Sequence, residues 1–496
     1  MAINFTVGTR FPFTEHKERI NRYKENMQLF QGKHKDLFDR YNFNPNSSIY
    51  VSLNLAGIIC KKSADMLLGE AVQVSAGKVD DSEEQRALDR ITTENYLNIT
   101  NYESALNNSI KGDSFYKVRW GQEYEGQLPP TVDKPKVMIE NLAAETVYPE
   151  VSPFDKRKIA VFHVCVPVYF SDKDMWVLHV ESHSAGLIRY HRYELSVSQT
   201  DTYGYATEWQ IEKKLGSTLE EATGVSMPLV IHVPNFSTDN WEGQDDLSEH
   251  KSLFDEINNR LTSIAGILDK HSDPAIAVPA GLLDTDEHGN VVFNVGREKV
   301  FEMLDKDDII PKYITWNGQL QEAYSELDRL IDNLMVAAEI PPVALGKSDS
   351  GTSGATGLSI RLRMNPLLSK VNRKRQYYDK ALKQVYVLAQ ELEKVASKEY
   401  SYETVIPVLK FTDGLPKDSM QEANMVQIRT GSKPTMSQKA AIMYLDGKTE
   451  EQAEAEIKRI NAELKDKAEP EPVKEPPEKL PVKDYAKEWL NGSLQT

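Results

Sequence analysis

Three long stretches with apolar residues at helical spacing constrain this chain most, because of what separates them. The first runs from about Asp246 to Lys270, with Leu247, Leu253, Phe254, Ile257, Leu261, Ile264 and Leu268 on one face. At 1.5 Å per residue it spans on the order of 37 Å. The second, about Leu320 to Glu339, carries Leu327, Leu330, Ile331, Leu334 and Met335 and stops at Pro341-Pro342. The third, about Leu358 to Ser397, is the longest, and Pro366 predicts a kink in it. Between the first two lies a turn-rich insert with an apolar run Ala275 to Val278, the polar stretch Asp284 to Asn290, and Val291 to Val295, which reads as a β-hairpin with a long tip. Between the last two, Gly346, Gly351, Gly354 and Gly357 alternate with hydroxyl residues, the pattern of a loop.

Upstream, Ile20, Tyr23, Met27 and Phe30 form a helical stripe after Thr14, a candidate N-cap, and Gly32 interrupts it. Leu53 to Leu68 and Ser82 to Ile110 read as further helices. From Phe115 to Val233 the rhythm shortens to β-type runs such as 115–120, 158–166 and 175–180. Thr404 to Phe411 is strand-like. Asp418 to Leu464 is helical, restarting at Ser437. Glu469 to Glu478, rich in Glu and Pro, cannot bury a core. The fold class expected is α+β, mainly helical, and the length calls for several domains.

Chemistry by motif is sparse. Gly346-Lys347-Ser348 resembles the end of a phosphate-binding loop, but the earlier glycine would fall on Pro341, and a helix rather than a strand precedes it. The later glycines follow no strand of a βαβ unit. Asp245-Asp246 and Asp305 to Asp308 could in principle hold magnesium; adjacent aspartates at helix starts more often cap backbone N–H groups. His163, His179, His183 and His191 lack metal-ligand spacing. Cys60 and Cys165 stand apart in apolar surroundings, as buried thiols do. No cofactor, metal site, catalytic residue or membrane association is expected. Residues 1–10 lack a secretory pattern, so synthesis and assembly in the cytoplasm are expected.

The net charge of −16 opposes gripping DNA over a whole surface, which requires cations neutralising phosphates. It suits a wall along which a polyanion slides. Against that background Arg361, Arg363, Lys370, Arg373, Lys374 and Arg375 form the strongest basic patch, with no acidic residue before Asp379.

The order helix, polar-tipped hairpin, helix, Gly/Ser loop, long basic helix resembles the central body of tailed-bacteriophage portal proteins. Asn235-Phe-Ser-Thr-Asp-Asn-Trp-Glu-Gly-Gln-Asp-Asp-Leu247 is similar to the family's entry into its first stem helix, and Ile340-Pro-Pro-Val and Ser353-Gly-Ala-Thr-Gly-Leu-Ser-Ile360 to its later steps. Thr356-Gly357 departs from the family's pattern before Leu358. Leu29 to Lys33, Asn54, Leu68-Gly69-Glu70, Met436-Ser437 and Leu445-Asp-Gly add shorter likenesses in the same order. The resemblance covers roughly residues 15 to 465.

It implies a wing (1–245), a first stem helix (246–272), a clip (273–317), a second stem helix (318–340), a tunnel loop (341–357), a long helix and return strand of the wing (358–415), a crown (416–465) and a tail (466–496). It further implies a ring of twelve subunits, or thirteen when expressed alone, at one capsid vertex of the virion. Double-stranded DNA held without sequence preference, a terminase, head-completion and adaptor proteins, and the major capsid and scaffolding proteins would be its partners. Lys347, Ser348, Ser350, Thr352 and Ser353 would face DNA in the tunnel loop. Asp286, Glu287, His288, Asn290, Arg297 and Lys299 would present the clip to terminase or adaptor. The six basic residues of 361–375 would meet either acidic groups of a neighbouring subunit or DNA phosphates. A packaging ATPase or nuclease, and a monomeric DNA-binding protein, are the alternative readings.

Overall fold

A computed structural model describes residues 3–34, 50–78, 82–124, 127–129, 131–272, 276–277, 284–285, 291–292, 312–313, 320–346, 357–412, 414, 419–431 and 433–468. Its elements divide into two compact units, one of residues 1–76 and 81–418, the other of 77–80 and 419–496. The described residues are 48% helical and 22% strand, the mixed and mainly helical composition the sequence implied.

The larger unit opens with β1 (Arg10–Phe11) and α1 (Thr14–Phe30). Thr14 is the first helical residue and not its cap; Phe13 precedes the helix, and its ring goes into the core instead. Then follow α2 (Leu55–Leu68), β2 (Gln73–Ser75), α3 (Glu83–Glu94) and α4 (Leu97–Lys111). Asn54 and Ser82 cap α2 and α3 by accepting from Gly57 N at 2.9 Å and Gln85 N at 3.2 Å.

Strands β3 (Asp113–Gly121), β4 (Lys136–Leu142), β5 (Val147–Val151), β6 (Ile159–Phe170), β7 (Met175–Ser184), β8 (Leu187–Thr200), β9 (Ala206–Lys214), β10 (Leu219–Ala222) and β11 (Val230–Pro234) build two antiparallel sheets. One runs β1-β9-β8-β7-β6-β5, with β10 also on β8; the other runs β11-β3-β4. Phe11, Tyr148, Cys165, Leu178, Tyr193 and Trp209 pack within the first. The four strand histidines sit on β6, β7 and β8. His163 and His183 are buried and bond to Ser182 and Glu181, while Thr218 meets His191.

α5 (Lys251–Ser272) and α6 (Leu320–Ala337) form a packed helix pair. Between them β12 (Ile276–Ala277) pairs with β15 (Lys312–Tyr313), and inside that ladder β13 (Asp284–Thr285) pairs with β14 (Val291–Val292). The insert is a hairpin ladder as read from the sequence, but with other pairings: the run at 275–278 pairs with Lys312–Tyr313 instead of 291–295, and Asp284–Thr285, expected in the tip, form the strand that pairs with Val291–Val292. Next come α7 (Gly357–Arg363) and α8 (Asn365–Ala396). Their break at Met364 sits just ahead of Pro366, which has no N–H to continue the ladder. α8 buries Leu367, Val371, Tyr378, Leu382, Val385 and Ala389 in the large core shared with α2, α3, α4, β3, β4 and β11. β16 (Val408–Lys410) then pairs antiparallel with β2.

The smaller unit holds α9 (Ser419–Thr430), α10 (Gln438–Asp446) and α11 (Glu450–Ala468). Ser437 caps α10 through Ala440 N at 3.1 Å, and Lys439 bridges to Glu450 at 2.6 Å and Glu454 at 2.5 Å. Among the described residues no helix is long and apolar enough to cross a membrane.

Candidate functional site: a charged junction of five helices

The segment 235–246 delivers the chain from β11 into α5, and two glycines decide how. Asn235 N–H donates to Gly112 O at 2.7 Å, and Gly243 N–H donates to the buried Asp113 Oδ1 at 2.9 Å. The backbones cross so closely that a Cβ on Gly243 would stand 2.0 Å from Gly112 O. Gly112 itself has φ +88°, a conformation that L side chains resist. The crossing hands the chain to Asp245 and Asp246, whose roles differ.

Asp245 is the cap. Its Oδ1 accepts from Leu247 N at 2.9 Å and Ser248 N at 2.6 Å, so a single turn precedes α5 and the helix begins at Lys251, later than the apolar spacing predicts. Asp246 points the other way, into the protein. Lys374 Nζ lies 2.5 Å from its Oδ2 and Lys370 Nζ 3.3 Å from its Oδ1, while Asn235 Nδ2 donates at 3.1 Å and Ser109 Oγ also donates. Lys374 donates further to Ser63 Oγ at 2.6 Å, and Lys370 to Ala338 O at 3.1 Å, just past the end of α6. Lys374 is 4% exposed and Lys370 8%.

One carboxylate thus ties together the entry to α5, the end of α6, the first third of α8 and, through Ser63 and Ser109, α2 and α4. Burial alone would push the Asp246 carboxyl up, but Lys370, Lys374 and the bonds from Lys374 and Ser109 outweigh it and hold it below the usual carboxylate range. Burial draws Lys374 down to about 8, against the pull of Asp246 and with the repulsion of Lys370. Cys60, entirely buried, is driven up to about 12 by burial first and then by Asp246. A cleft of about 410 Å³ opens beside the cluster, with His250, Glu249 and Arg373 on its walls.

α6 ends in a tight turn: Ile340 N–H reaches Met335 O at 2.8 Å and Glu339 N–H reaches Val336 O at 3.1 Å, with Glu339 at φ +61°. Arg373 pairs with the Glu339 carboxylate. Along α5, Asn258 Oδ1 accepts from Leu53 N at 2.8 Å, and Thr262 Oγ1 exchanges bonds with both backbone groups of Val51. A second buried network lies at the crossing. Tyr23 donates to Asp113 Oδ2 at 2.5 Å, His232 Nε2 is 2.6 Å from Oδ1, and the Arg19 guanidinium sits 5.3 Å from the Trp241 ring.

Of the basic patch, the structure brings Lys370 and Lys374 together on Asp246, sets Arg373 on Glu339, and gives Arg375 the carbonyls of Met66 and Thr412. Within one chain these cations already have partners. Arg361 and Arg363 lie on α7, Arg361 exposed and Arg363 half-buried. Lys347, Ser348, Ser350, Thr352 and Ser353, and Asp286, Glu287, His288, Asn290, Arg297 and Lys299, lie outside the described residues. The sequence reading did not find Ser63, Ser109 or the Ala338 carbonyl, since a hydroxyl on a helix and a main-chain oxygen carry no spacing signal. Asn235 and Asp246 did stand in a marked motif, although Asp246 is a buried counter-ion and not the cap that its position suggests. Among the described residues no group of three or more His, Cys, Asp or Glu is arranged to hold a metal ion.

No curated protein matches the chain. The model of the family described as phage portal protein, SPP1 Gp6-like, matches residues 11–470, a span that contains the glycine crossing, the helix pair and the basic helix joined at Asp246, and the chain belongs to that family.

Proposed function

We propose that many copies of this chain close into a ring at one capsid vertex, forming the channel through which double-stranded DNA is packaged and ejected. The family match across residues 11–470 carries the reading. In it, α5 and α6 are the stem (246–272 and 318–340) and 273–317 the clip that meets terminase and later the adaptor proteins. Residues 341–357 are the tunnel loop, 416–465 the crown, and 1–245 with 358–415 the wing. Capsid and scaffolding proteins surround the ring, and it handles DNA without sequence preference, as an acidic wall should. Arg361 and Arg363 are the members of the basic patch proposed to meet phosphate or a neighbouring subunit.

The Asp246 junction supports a mechanical part in this scheme. A helix pair that carries load between a clip and a wing needs both of its ends fixed to the body, and one buried carboxylate fixes both through α8. The role is structural and not enzymatic.

The test is the assembly state of the purified chain. Mass measurement should give a complex many times 56.2 kDa, and negative-stain images a ring with a central hole. A stable monomer would refute the reading, and ATP hydrolysis by the purified chain would favour a packaging enzyme in its place.

A further inference from the structure

A groove of about 600 Å³, within the usual range of ligand pockets, runs between the start of β6, β11, the 235–241 segment and α8. Its charged lining residues are Arg157, Lys158 and Lys380, all exposed, and no carboxylate lines it. That stands out in a chain of net charge −16. Neither Lys158 nor Lys380 forms an ion pair among the described residues, and Arg157 pairs only with the adjacent Asp155, at 3.3 Å on the surface.

The apolar lining includes Phe162, Met227, Pro228, Trp241 and the ring of Tyr377. Two of these rings are held in place. Trp241 stacks under Arg19 and lies 5.4 Å from the His232 ring, and Tyr377 donates to Ser237 O at 3.3 Å. The half-buried Gln384 amide, on the α8 side, has no hydrogen-bond partner among the described residues and offers both a donor and an acceptor.

We infer that this groove docks an extended acidic peptide of a partner protein, with its carboxylates on Lys158, Lys380 and Arg157, an apolar or proline side chain on Trp241 and Tyr377, and its main chain on Gln384. A peptide suits the site better than a nucleic-acid strand. The groove's lining holds three cations, enough for a few carboxylates but a short track for a phosphodiester backbone. The chain's net charge of −16 opposes a long polyanion, whereas a short peptide carries its few charges only where the cations are. Prearranged rings lower the ordering cost of binding, as in other aromatic-lined peptide grooves.

The test uses the full chain in whatever assembly it forms. Its probe is a fluorescein-labelled decapeptide alternating glutamate with proline around a central phenylalanine, followed by fluorescence anisotropy. Saturable binding is expected, weakened at least about tenfold when glutamine replaces glutamate in the peptide or when Lys158→Glu and Lys380→Glu are combined. Lys158→Ala with Lys380→Ala, which introduces no new charge, should weaken it in the same direction, and mass and circular dichroism should be unchanged in both variants. Absence of binding to the wild-type chain, equal binding by the charge-reversed variant, or equal displacement by a ten-nucleotide single-stranded DNA would each overturn the inference. Since the readout does not require a ring, failure of the portal reading would leave it standing.

Discussion

Replacing Asp246 by asparagine keeps the shape of the junction and removes only its negative charge. Lys374 would retain Ser63 Oγ and Lys370 the Ala338 carbonyl, but two ammonium groups, 4% and 8% exposed, would lose their counter-ion. Breaking a buried pair from one side costs about 3–5 kcal/mol, because an uncompensated charge is left in a poorly polarisable interior. With a urea slope near 3 kcal/mol per molar, the unfolding midpoint should fall by about 1 M or more. Removing the stranded charge should restore much of this, so Asp246→Asn with Lys374→Met should be more stable than Asp246→Asn alone. The pH dependence adds an independent sign. Lys374 titrates near 8 in the folded chain against 10.5 for an ordinary lysine, so between those values the unfolded state binds more protons and stability from this group rises with pH. Without Asp246, which raises it, the Lys374 ammonium titrates lower still, so the deficit of Asp246→Asn should shrink as pH rises from 7 to 9, where Lys374 becomes neutral in both folded proteins. Urea titrations by circular dichroism at pH 7 and pH 9 measure all of this. A loss below 1 kcal/mol, no rescue by Lys374→Met, or a deficit that widens at pH 9 would refute the junction as a charge-bound tie.

Two further outcomes are expected. Gly243→Ala places a methyl group 2.0 Å from Gly112 O, so the crossing must open, at a cost of roughly 3 kcal/mol, and differential scanning calorimetry should show a lower melting temperature; an unchanged melt would mean that the crossing yields freely. The His16 imidazole is lowered to about 4, by burial first and then by Arg19, so the unfolded chain binds the extra proton between pH 6.5 and 4. Stability should fall by about 2–3 kcal/mol as pH drops through that window, and His16→Gln should flatten that part of a pH series of melts.

The two helix ends that meet at Asp246 come from segments about ninety residues apart, which is why a single buried carboxylate matters. Apolar packing alone fixes the faces of α5 and α6 but tolerates sliding along the axis. A hydrogen-bonded ion pair with defined distances fixes the position, and that positional role is the best-attested use of such pairs.

Local sequence placed helices at about 53–68, 82–110, 246–270, 320–339 and 358–397 and a stripe from Thr14 to Gly32, the strands of the middle region, and a kink at Pro366, because each follows from residues close in sequence; the structure starts α5 later, at Lys251, and divides 82–110 into α3 and α4. The order of these elements was also sufficient to suggest the family. What the sequence could not convey was partnership between distant residues. It marked Lys370 and Lys374 as part of one basic patch, and only folding against α2, α4 and the entry to α5 turned them inward onto Asp246. It marked Asp245 and Asp246 as equivalent, and only the glycine crossing gave one to the helix and the other to the core. Local spacing sets which residues share a face; which charges end up beside each other, and so which keep their protons, is decided by the tertiary contacts that exclude water from them.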